Sequence, residues 1–416
     1  MNRAFDPHTY AKALHTAGNI ASESRLLYQW TGTHWRALSE EEAEREAYLW
    51  LAKNADGHAS ASNAHQAVRS AILFQPPLPS ITEAVVVPVQ NGYVVLLDDG
   101  ALELVEPDKS LGIRHVLNCT YAPDAQAPIF MSFLQRALPD VTVQARVQEY
   151  IGYTFLADAR FQRAQLWLGD GANGKGVLAN IVQSLHGNVA AIHLDALEGF
   201  RLSTLVGANL IYADEVPRGR INEQLLKSMI AGERIQIDRK YRDPLSVCLR
   251  GKWIVCGNHL PVVADHSVGF WRRWDIVPFG KSIPERERDA LLVSRIVKSE
   301  LSGVMNWALQ GLIRLLGRGN FSDDIPHSMR AAVRDAKAET NSVAAWIDDC
   351  DVEIGGAVGR VKGEVFQHYR KWCDDNALQT LGSVQFWKRL RDMNLGYAEE
   401  RRRTATGQQR VCNVRL

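Results

Sequence analysis

A glycine-rich segment in the middle of the chain has the residue types and spacing of a phosphate-binding loop. It follows the apolar run 166–168 and precedes a helix with apolar residues on one face. In such a loop, backbone N–H groups converge on a phosphate, the helix N-terminus adds partial positive charge, and a lysine neutralises the rest. The candidate residues are Gly169, Gly171, Asn173, Gly174, Lys175 and Gly176. We therefore predict a P-loop that binds ATP.

One position departs from the usual P-loop pattern. That pattern ends in Ser or Thr, whose hydroxyl binds Mg²⁺. Here the position is Gly176. Water and a carboxylate from elsewhere in the chain would then complete the metal's shell, since Mg²⁺ keeps several waters in protein sites.

A second apolar run ends in two carboxylates. Asp214 and Glu215 follow the run 209–213. In an ATPase, Asp214 would hold Mg²⁺ through water, and Glu215 would orient and deprotonate the attacking water. An acidic pair at a strand end can also be merely solvated, but its place after a P-loop favours the catalytic interpretation.

Two further polar sites follow the acidic pair. Asn258 ends the apolar run 252–257, where its amide would hold the catalytic water and sense the γ-phosphate. A turn asparagine is the alternative. Arg272 and Arg273 precede another apolar run. In ring ATPases an arginine so placed reaches a neighbour's γ-phosphate, and we assign that role to Arg273. A structural Arg–carboxylate pair is the alternative.

The segment between the acidic pair and Asn258 carries a cationic loop. Asn222 is predicted to cap a helix that ends near Gly232, and residues 234–247 then alternate as a β-hairpin. Its tip holds Arg239, Lys240 and Arg242, with one aromatic residue among them. Cations with an aromatic ring suit contact with nucleic-acid phosphates and bases, whereas a solvated polar turn is the alternative.

This set of motifs, in this order, resembles superfamily 3 helicases. It is most similar to the helicase portion of the phage/plasmid and poxvirus-type primase–helicases. Their G-x-N-G-K core is matched by residues 171–175, their sensor strand ending in N-x-x-P by 258–261, and their arginine-rich segment by 272–279. Weaker similarities at 91–92, 128–134, 149–153, 300–311 and 369–373 extend the resemblance over most of the chain.

The resemblance implies an ATP- and Mg²⁺-dependent helicase that moves 3′ to 5′ on single-stranded DNA. It implies an AAA+-type core and a ring, with a hexamer as the expected homo-oligomer, and DNA threaded through the centre. The ATP chemistry carries over to Lys175, Asp214, Glu215, Asn258 and Arg273, and DNA contact to Lys240 with Arg239 as helper. No primase motif is recognised, so we expect either a helicase without its own primase or a primase that is a separate polypeptide.

The elements around these motifs predict an α/β fold with four parts. We expect an N-terminal helicase-associated region at 1–127, a helical collar segment at 128–163, a P-loop ATPase core with a mainly parallel sheet at 164–325, and a winged-helix-like domain at 340–416. In the first part, hairpins are predicted at 28–35 and around Asn91-Gly92, and Ser39 is predicted to open a helix.

The last part of the chain is basic. A helix is predicted over 361–372, a second one capped by Ser383, and a β wing over 397–416. Its wing arginines are Arg401, Arg402, Arg403, Arg410 and Arg415. A winged helix that binds forked or duplex DNA is the hypothesis, and a solvated basic face that helps assembly is the alternative.

Composition sets limits on these interpretations. The net charge is +1, so contacts with nucleic acid would have to be local. The six cysteines contain no C-x-x-C pair, which argues against a zinc site or a disulfide scaffold and suits a reducing cytoplasm. The chain's start does not resemble a signal peptide and no apolar run approaches a membrane span, so we expect a cytoplasmic protein without a membrane partner.

Two other functions fit the same residues. The chain could be a nucleic-acid-dependent ATPase switch, such as a replication initiator, a packaging motor or a defence ATPase, that does not unwind. Alternatively, Gly176 could mark a P-loop that binds nucleotide weakly and serves assembly. The retained acidic pair, asparagine and arginines weigh against that scaffold.

Overall fold

The chain forms two compact units. The computed structural model describes residues 5–97, 99–217, 221–239, 242–260, 268–376, 378, 380–404 and 407–416. The first unit contains the described residues up to Arg330, and the second begins at Ala331. None of the described helices is long and apolar enough to span a membrane.

The first unit opens with a helical region and a small sheet. Its elements are α1 (Pro7–Ala17), β1 (Ile20–Glu23), β2 (Leu26–Trp30), β3 (Trp35–Ala37), α2 (Glu40–Asn54) and α3 (Ala61–Phe74). The predicted hairpin at 28–35 is confirmed, because β2 and β3 pair antiparallel. The predicted helix start is also confirmed: Ser39 and Glu42 form a reciprocal capping box at α2, which satisfies two backbone donors at the helix N-terminus.

A second antiparallel sheet follows. It consists of β4 (Val86–Val89), β5 (Gly92–Leu96) and β6 (Leu102–Val105). The Asn91-Gly92 turn is confirmed, since Val89 pairs with Gly92 across it. Gly92 has a φ of 145°, and a Cβ there would lie 2.7 Å from the Val105 carbonyl oxygen. Glycine is therefore required where β6 passes the turn.

The rest of the first unit is a parallel sheet packed by helices. Its elements are α4 (Pro128–Ala137), α5 (Val141–Tyr153), β7 (Ala164–Leu168), α6 (Lys175–Leu185), β8 (Val189–Ala191), β9 (Leu210–Ala213), α7 (Glu223–Ile230), β10 (Arg234–Arg239), β11 (Arg242–Cys248), β12 (Lys252–Gly257), α8 (Val268–Trp271), β13 (Trp274–Pro278), α9 (Leu292–Ser299) and α10 (Leu301–Arg318). Helix α11 (His327–Thr340) begins in the first unit and belongs mostly to the second. The helices predicted between 128 and 160 are thereby confirmed.

The five-stranded sheet has the spatial order β13-β7-β12-β9-β8, and all its pairings are parallel. The prediction of a mainly parallel sheet is confirmed. Because parallel strands end at the same edge, β7, β12 and β9 bring the glycine-rich loop, Asn258 and the acidic pair side by side. Helix α5 packs on α10, and both share one apolar core with the sheet.

A buried ion pair fastens the edge strand β13 to helix α5. The Arg146 Nε lies 2.7 Å from one carboxylate oxygen of Asp275, and the two side chains are 3% and 1% exposed. Arg163 contacts the same carboxylate at 3.4 Å. Removing one partner of such a pair leaves an uncompensated buried charge, so this contact should be important for stability.

The second unit is a small helix-and-hairpin domain. After α11 it contains α12 (Ser342–Asp349), β14 (Glu353–Ile354), β15 (Arg360–Val361), α13 (Lys362–Asp375), α14 (Ser383–Asp392), β16 (Glu399–Thr404), β17 (Gly407–Cys412) and β18 (Val414–Arg415). The predicted helix at 361–372 and the C-terminal hairpin are confirmed.

One prediction for the second unit is wrong. Ser383 does not cap its helix: the N-cap is Gly382, and no side chain bonds the helix N-terminus. Ser383 instead becomes the first helical residue, because Gly382 already has the extended conformation that an N-cap requires. The predicted inward residues Phe386, Trp387 and Leu390 are buried as expected.

Candidate functional site

The glycine-rich loop connects β7 to α6 in a left-handed conformation that few residues tolerate. Gly171, Ala172 and Gly174 have φ values of 101°, 50° and 87°. A Cβ on Gly169 would lie 2.5 Å from the Phe279 carbonyl oxygen, so the loop can pass β13 closely only with glycine there. Ala172 is a non-glycine residue held at positive φ, a type of strain that concentrates at ligand-binding sites.

Asn173 holds the loop rather than facing outward. Its side chain is buried, Nδ2 donates to the Phe279 carbonyl at 2.9 Å, and Oδ1 accepts from the Lys175 backbone N–H at 3.3 Å. The side chain thus ties the loop to the end of β13. The sequence predicted Asn173 as a nucleotide-binding residue, and the structure places it where it would act by fixing the loop's shape.

Lys175 lies at the centre of the site. Its Nζ donates to the Gly169 carbonyl at 2.5 Å, to the Gly257 carbonyl at 3.0 Å and to Asn258 Oδ1 at 2.8 Å. These three acceptors are neutral, so they orient the ammonium group without cancelling its charge. Lys175 and Asn258, which are far apart in the sequence, are thereby brought into direct contact.

The acidic pair follows β9, which is separated from the P-loop strand β7 by β12. Asp214 and Glu215 follow β9 and are exposed. The Tyr212 hydroxyl donates to Asp214 Oδ1 at 2.5 Å. Burial raises the pKa of Tyr212, with further contributions from Cys256 and Asp214, so this phenol stays a donor at neutral pH. Asp214 is therefore held in place by a residue two positions earlier on the same face of the strand.

Cys256 lies on β12, the strand between β7, which leads to the glycine-rich loop, and β9, which leads to Asp214. It is buried, and burial raises the pKa of its thiol to about 12, while Tyr212, Lys175 and Asp214 are close enough to act on it electrostatically. Sequence reasoning missed both Tyr212 and Cys256. The available signal was positional: each lies two residues before a predicted site residue, Asp214 and Asn258, on the same face of its strand.

The two arginines before β13 differ in exposure. Arg272 is exposed, whereas Arg273 is buried and its Nη1 donates to the Gly269 carbonyl of the same chain. Burial and the neighbouring Arg272 lower the pKa of Arg273. The Nε of Arg273 has no hydrogen-bond partner among the described residues.

The cationic hairpin has an apolar stem. Ile235 pairs with Val247 and Ile237 with Leu245, and all four side chains are buried. This confirms the predicted hairpin and its alternation. Near the tip, Arg239 and Arg242 are directly opposite each other in the backbone register. The predicted DNA-contacting residue Lys240 lies outside the described residues.

The loop has the features that a nucleoside triphosphate and Mg²⁺ require. Gly174 is the N-cap of α6 and offers the helix N-terminus to the loop. Within the part of the chain that the structure describes, and apart from its own helix backbone and chain neighbours, a Cβ on Gly176 would meet no atom within 4 Å. The place where the usual P-loop pattern carries a metal-binding hydroxyl is therefore open. The exposed carboxylate of Asp214 is an oxygen ligand of the type that Mg²⁺ prefers. The residues present fit both groups.

Comparison with known proteins supports the fold. A family described as a family of unknown function (DUF5906) matches residues 167–273, which include the glycine-rich loop and Arg273. The apo structure of the NrS-1 C-terminal region (305–718) superposes with a TM-score of 0.56 at 12% identity and covers 99% of both chains. Its A form gives 0.53 at 15% identity and covers 99% of this chain and 100% of that one. The chain therefore shares the fold of that region over nearly its whole length.

A structure of JCV helicase with a bound thiazolopyridine acetamide is also similar in part. It covers 53% of this chain and 64% of that chain at 13% identity, with a TM-score of 0.30. A value this low carries no argument about this protein.

Proposed function

We propose that this protein is an ATP-driven DNA helicase of a phage, plasmid or other mobile element, with an AAA+-type core. The observation that carries the proposal is the position of the Lys175 ammonium group, which three neutral oxygens orient at the mouth of a left-handed glycine loop. A cation held by uncharged groups keeps its full charge for a phosphate.

The strand order supports the same proposal. The strand that bears Asn258 lies between the P-loop strand and the acidic strand. Asn258 can therefore contact both the γ-phosphate region and a water near Glu215. We therefore propose Glu215 as the base that orients water, with Asn258 as its partner and Lys175 as the phosphate ligand.

The metal would be held by Asp214, directly or through water, in the orientation that Tyr212 fixes. Bound Mg²⁺ would neutralise developing charge on the phosphate oxygens. The hydroxyl that usually contributes to this site is replaced by Gly176, so more of the metal's shell would be water.

Arg273 remains our proposal for the arginine that acts on a neighbouring subunit's nucleotide in a ring, with a hexamer expected. Its guanidinium is at present bonded to Gly269 of its own chain. Reaching a neighbour would require that bond to break on assembly. The unpartnered Nε supports such a change, since a buried donor without an acceptor gains from any new one.

DNA contact is assigned to two places. The hairpin tip, with Arg239, Lys240 and Arg242, would contact single-stranded DNA. The protein would move along that strand in the 3′ to 5′ direction. The second unit would contact forked or duplex DNA through its C-terminal hairpin. There Arg401 is directly opposite Arg410, which also contacts Glu399 at 3.7 Å, and a DNA phosphate would be attracted to the two arginines.

The experiment that tests this proposal is a strand-displacement assay with partial duplexes that carry either a 3′ or a 5′ single-stranded tail. We expect ATP-dependent displacement with one polarity. DNA-stimulated ATP hydrolysis without displacement on either substrate would identify a nucleic-acid-dependent switch instead. In that case this chain would not unwind DNA for a possible separate primase.

A further inference from the structure

A second cavity lies at the opposite edge of the parallel sheet from the glycine-rich loop. It has a volume of about 560 Å³, within the range of small-molecule sites. Asn209, the residue before β9, and Arg250, two residues before β12, both line it. Since these strands are four to six residues long, the cavity lies roughly 15–20 Å from the loop.

The walls of this cavity come from parts of the chain that are distant in sequence. One wall is the turn between β1 and β2, where Ser24 has a φ of 51° and its hydroxyl donates to the Ser246 carbonyl of β11 at 3.3 Å. The base of the cationic hairpin, with Arg234 and Cys248, forms another wall. A ligand bound here would therefore contact the strand pair that carries the proposed DNA loop.

The charge of the lining is strongly positive. It contains Arg36, Arg114, Arg234 and Arg250 but a single carboxylate, Glu23. Glu23 is already engaged by a two-pronged contact with Arg114, at 2.7 and 3.0 Å. Arg36 in turn contacts Glu42, outside the cavity, at 2.7 Å.

Arg250 is the group that this arrangement leaves unsatisfied. Its Nη1 is buried and has no hydrogen-bond partner among the described residues, and the same holds for Arg114 Nε. The carboxylates that influence Arg250 are Glu23 and Asp158, and Asp158 is itself held by Arg160. Burial and the neighbouring Arg114 lower the pKa of Arg250. A buried guanidinium N–H without an acceptor costs stability unless an anion accepts its hydrogen bond.

The remaining lining suits a heterocyclic base. The aromatic rings of Tyr28, His34 and Trp35 line the cavity. Asn209 contributes a buried Oδ1 that has no hydrogen-bond partner among the described residues. An aromatic surface with an unpaired amide acceptor fits the face and the amino group of a base, as the arginines fit a phosphate.

We propose that this cavity binds one nucleotide, its phosphate on Arg250 and Arg114 and its base against the rings. The nucleotide can be free or part of a DNA strand, since both present the same phosphate and base. This site is separate from the P-loop and does not depend on the proposed ATPase activity.

The test uses the full chain with Lys175→Ala, which removes the lysine of the P-loop. Calorimetric titration with ATP, and separately with a short oligodeoxyadenylate, measures what still binds. We expect Arg250→Gln in that background to weaken binding by about tenfold or more, the scale of one lost charged hydrogen bond. Arg286→Gln removes an arginine whose side chain is 85% exposed elsewhere, and should change nothing.

A second variant guards against loss of folding. Ser24→Asp adds a carboxylate at the rim in a backbone conformation that aspartate tolerates, and it should weaken the same binding. Weakened ATP binding would identify a free nucleotide as the ligand, and weakened oligodeoxyadenylate binding alone would identify a strand. Equal affinities in all variants for both probes, with unchanged thermal unfolding, would overturn the proposal.

Discussion

Positively charged side chains have different hydrogen-bond partners at the two edges of the parallel sheet. At the carboxyl edge, Lys175 is oriented by three neutral oxygens from its own loop and from β12. At the amino edge, some arginines are paired and others are not: Arg146 is bonded to Asp275 on two atoms, whereas Arg250 keeps a buried N–H without an acceptor. Among the described residues, Arg146 is thus bonded to a carboxylate, whereas the Lys175 Nζ is bonded to neutral oxygens and the Arg250 Nη1 has no acceptor.

The largest difference is expected between a variant that removes an arginine bonded to a carboxylate and one that removes an arginine with an unpaired N–H. Arg146→Ala should lower the free energy of unfolding by about 3–5 kcal/mol, because Asp275 would be left buried with a partner lost. Arg250→Gln should change it by less than about 1 kcal/mol, since the lost Nη1 has no hydrogen-bond partner among the described residues. Urea unfolding of both variants measures the difference. A larger loss for Arg250→Gln would show that Arg250 is structural.

A smaller effect concerns a buried lysine at the amino edge of the sheet. Lys252 begins β12, its Nζ donates to the Leu156 carbonyl, and burial lowers its pKa to about 7. The unfolded chain, with a pKa near 10.4, binds this proton more readily. Between pH 7 and about 10 the unfolded state is therefore the more protonated one, so stability should rise with pH in that window.

Lys252→Met should flatten this dependence. Relative to the wild type, the variant should gain on the order of a few kcal/mol near pH 7 and lose that advantage as the pH approaches 10. Thermal or urea unfolding of both proteins at matched pH values gives the difference curve. A difference that does not vary with pH would mean that Lys252 stays charged in the folded protein.

The smallest effect is expected for the Mg²⁺ dependence of ATP hydrolysis at the carboxyl edge. Gly176→Ser restores a hydroxyl where open space is available for it. It should lower the Mg²⁺ concentration for half-maximal ATP hydrolysis about two- to tenfold, the scale of one added polar contact. Gly176→Ala is the matched control, because it adds the same Cβ without the oxygen. Equal midpoints for Ser and Ala would place the metal away from residue 176.

The carboxyl edge could be predicted because its parts are local in sequence. Each group directly follows an apolar strand, and parallel strands bring their carboxyl ends together. The glycine loop, Asn258 and Asp214 needed no further information. The hairpin stem was predictable for a similar reason, since Ile235, Ile237, Leu245 and Val247 alternate on both sides of a polar tip.

The amino edge could not be predicted in the same way. Its cavity joins the β1–β2 turn, residue 114 and residue 250, which no periodicity connects. The role of Asn173 was also hidden, because its amide is bonded to the Phe279 carbonyl more than a hundred residues later. The start of α14 was missed by one residue, since glycine and serine are both acceptable N-caps and only the backbone angles separate them.

The most direct test of the proposed DNA-stimulated ATPase is to measure ATP hydrolysis by the wild type, with and without single-stranded DNA, beside Lys175→Ala. We expect hydrolysis that DNA stimulates, and a loss of both basal and stimulated rates by a factor of about a hundred or more in the variant, since its phosphate ligand is gone. Absence of hydrolysis by the wild type at any Mg²⁺ or Mn²⁺ concentration would contradict it, and would leave the glycine loop as part of a scaffold.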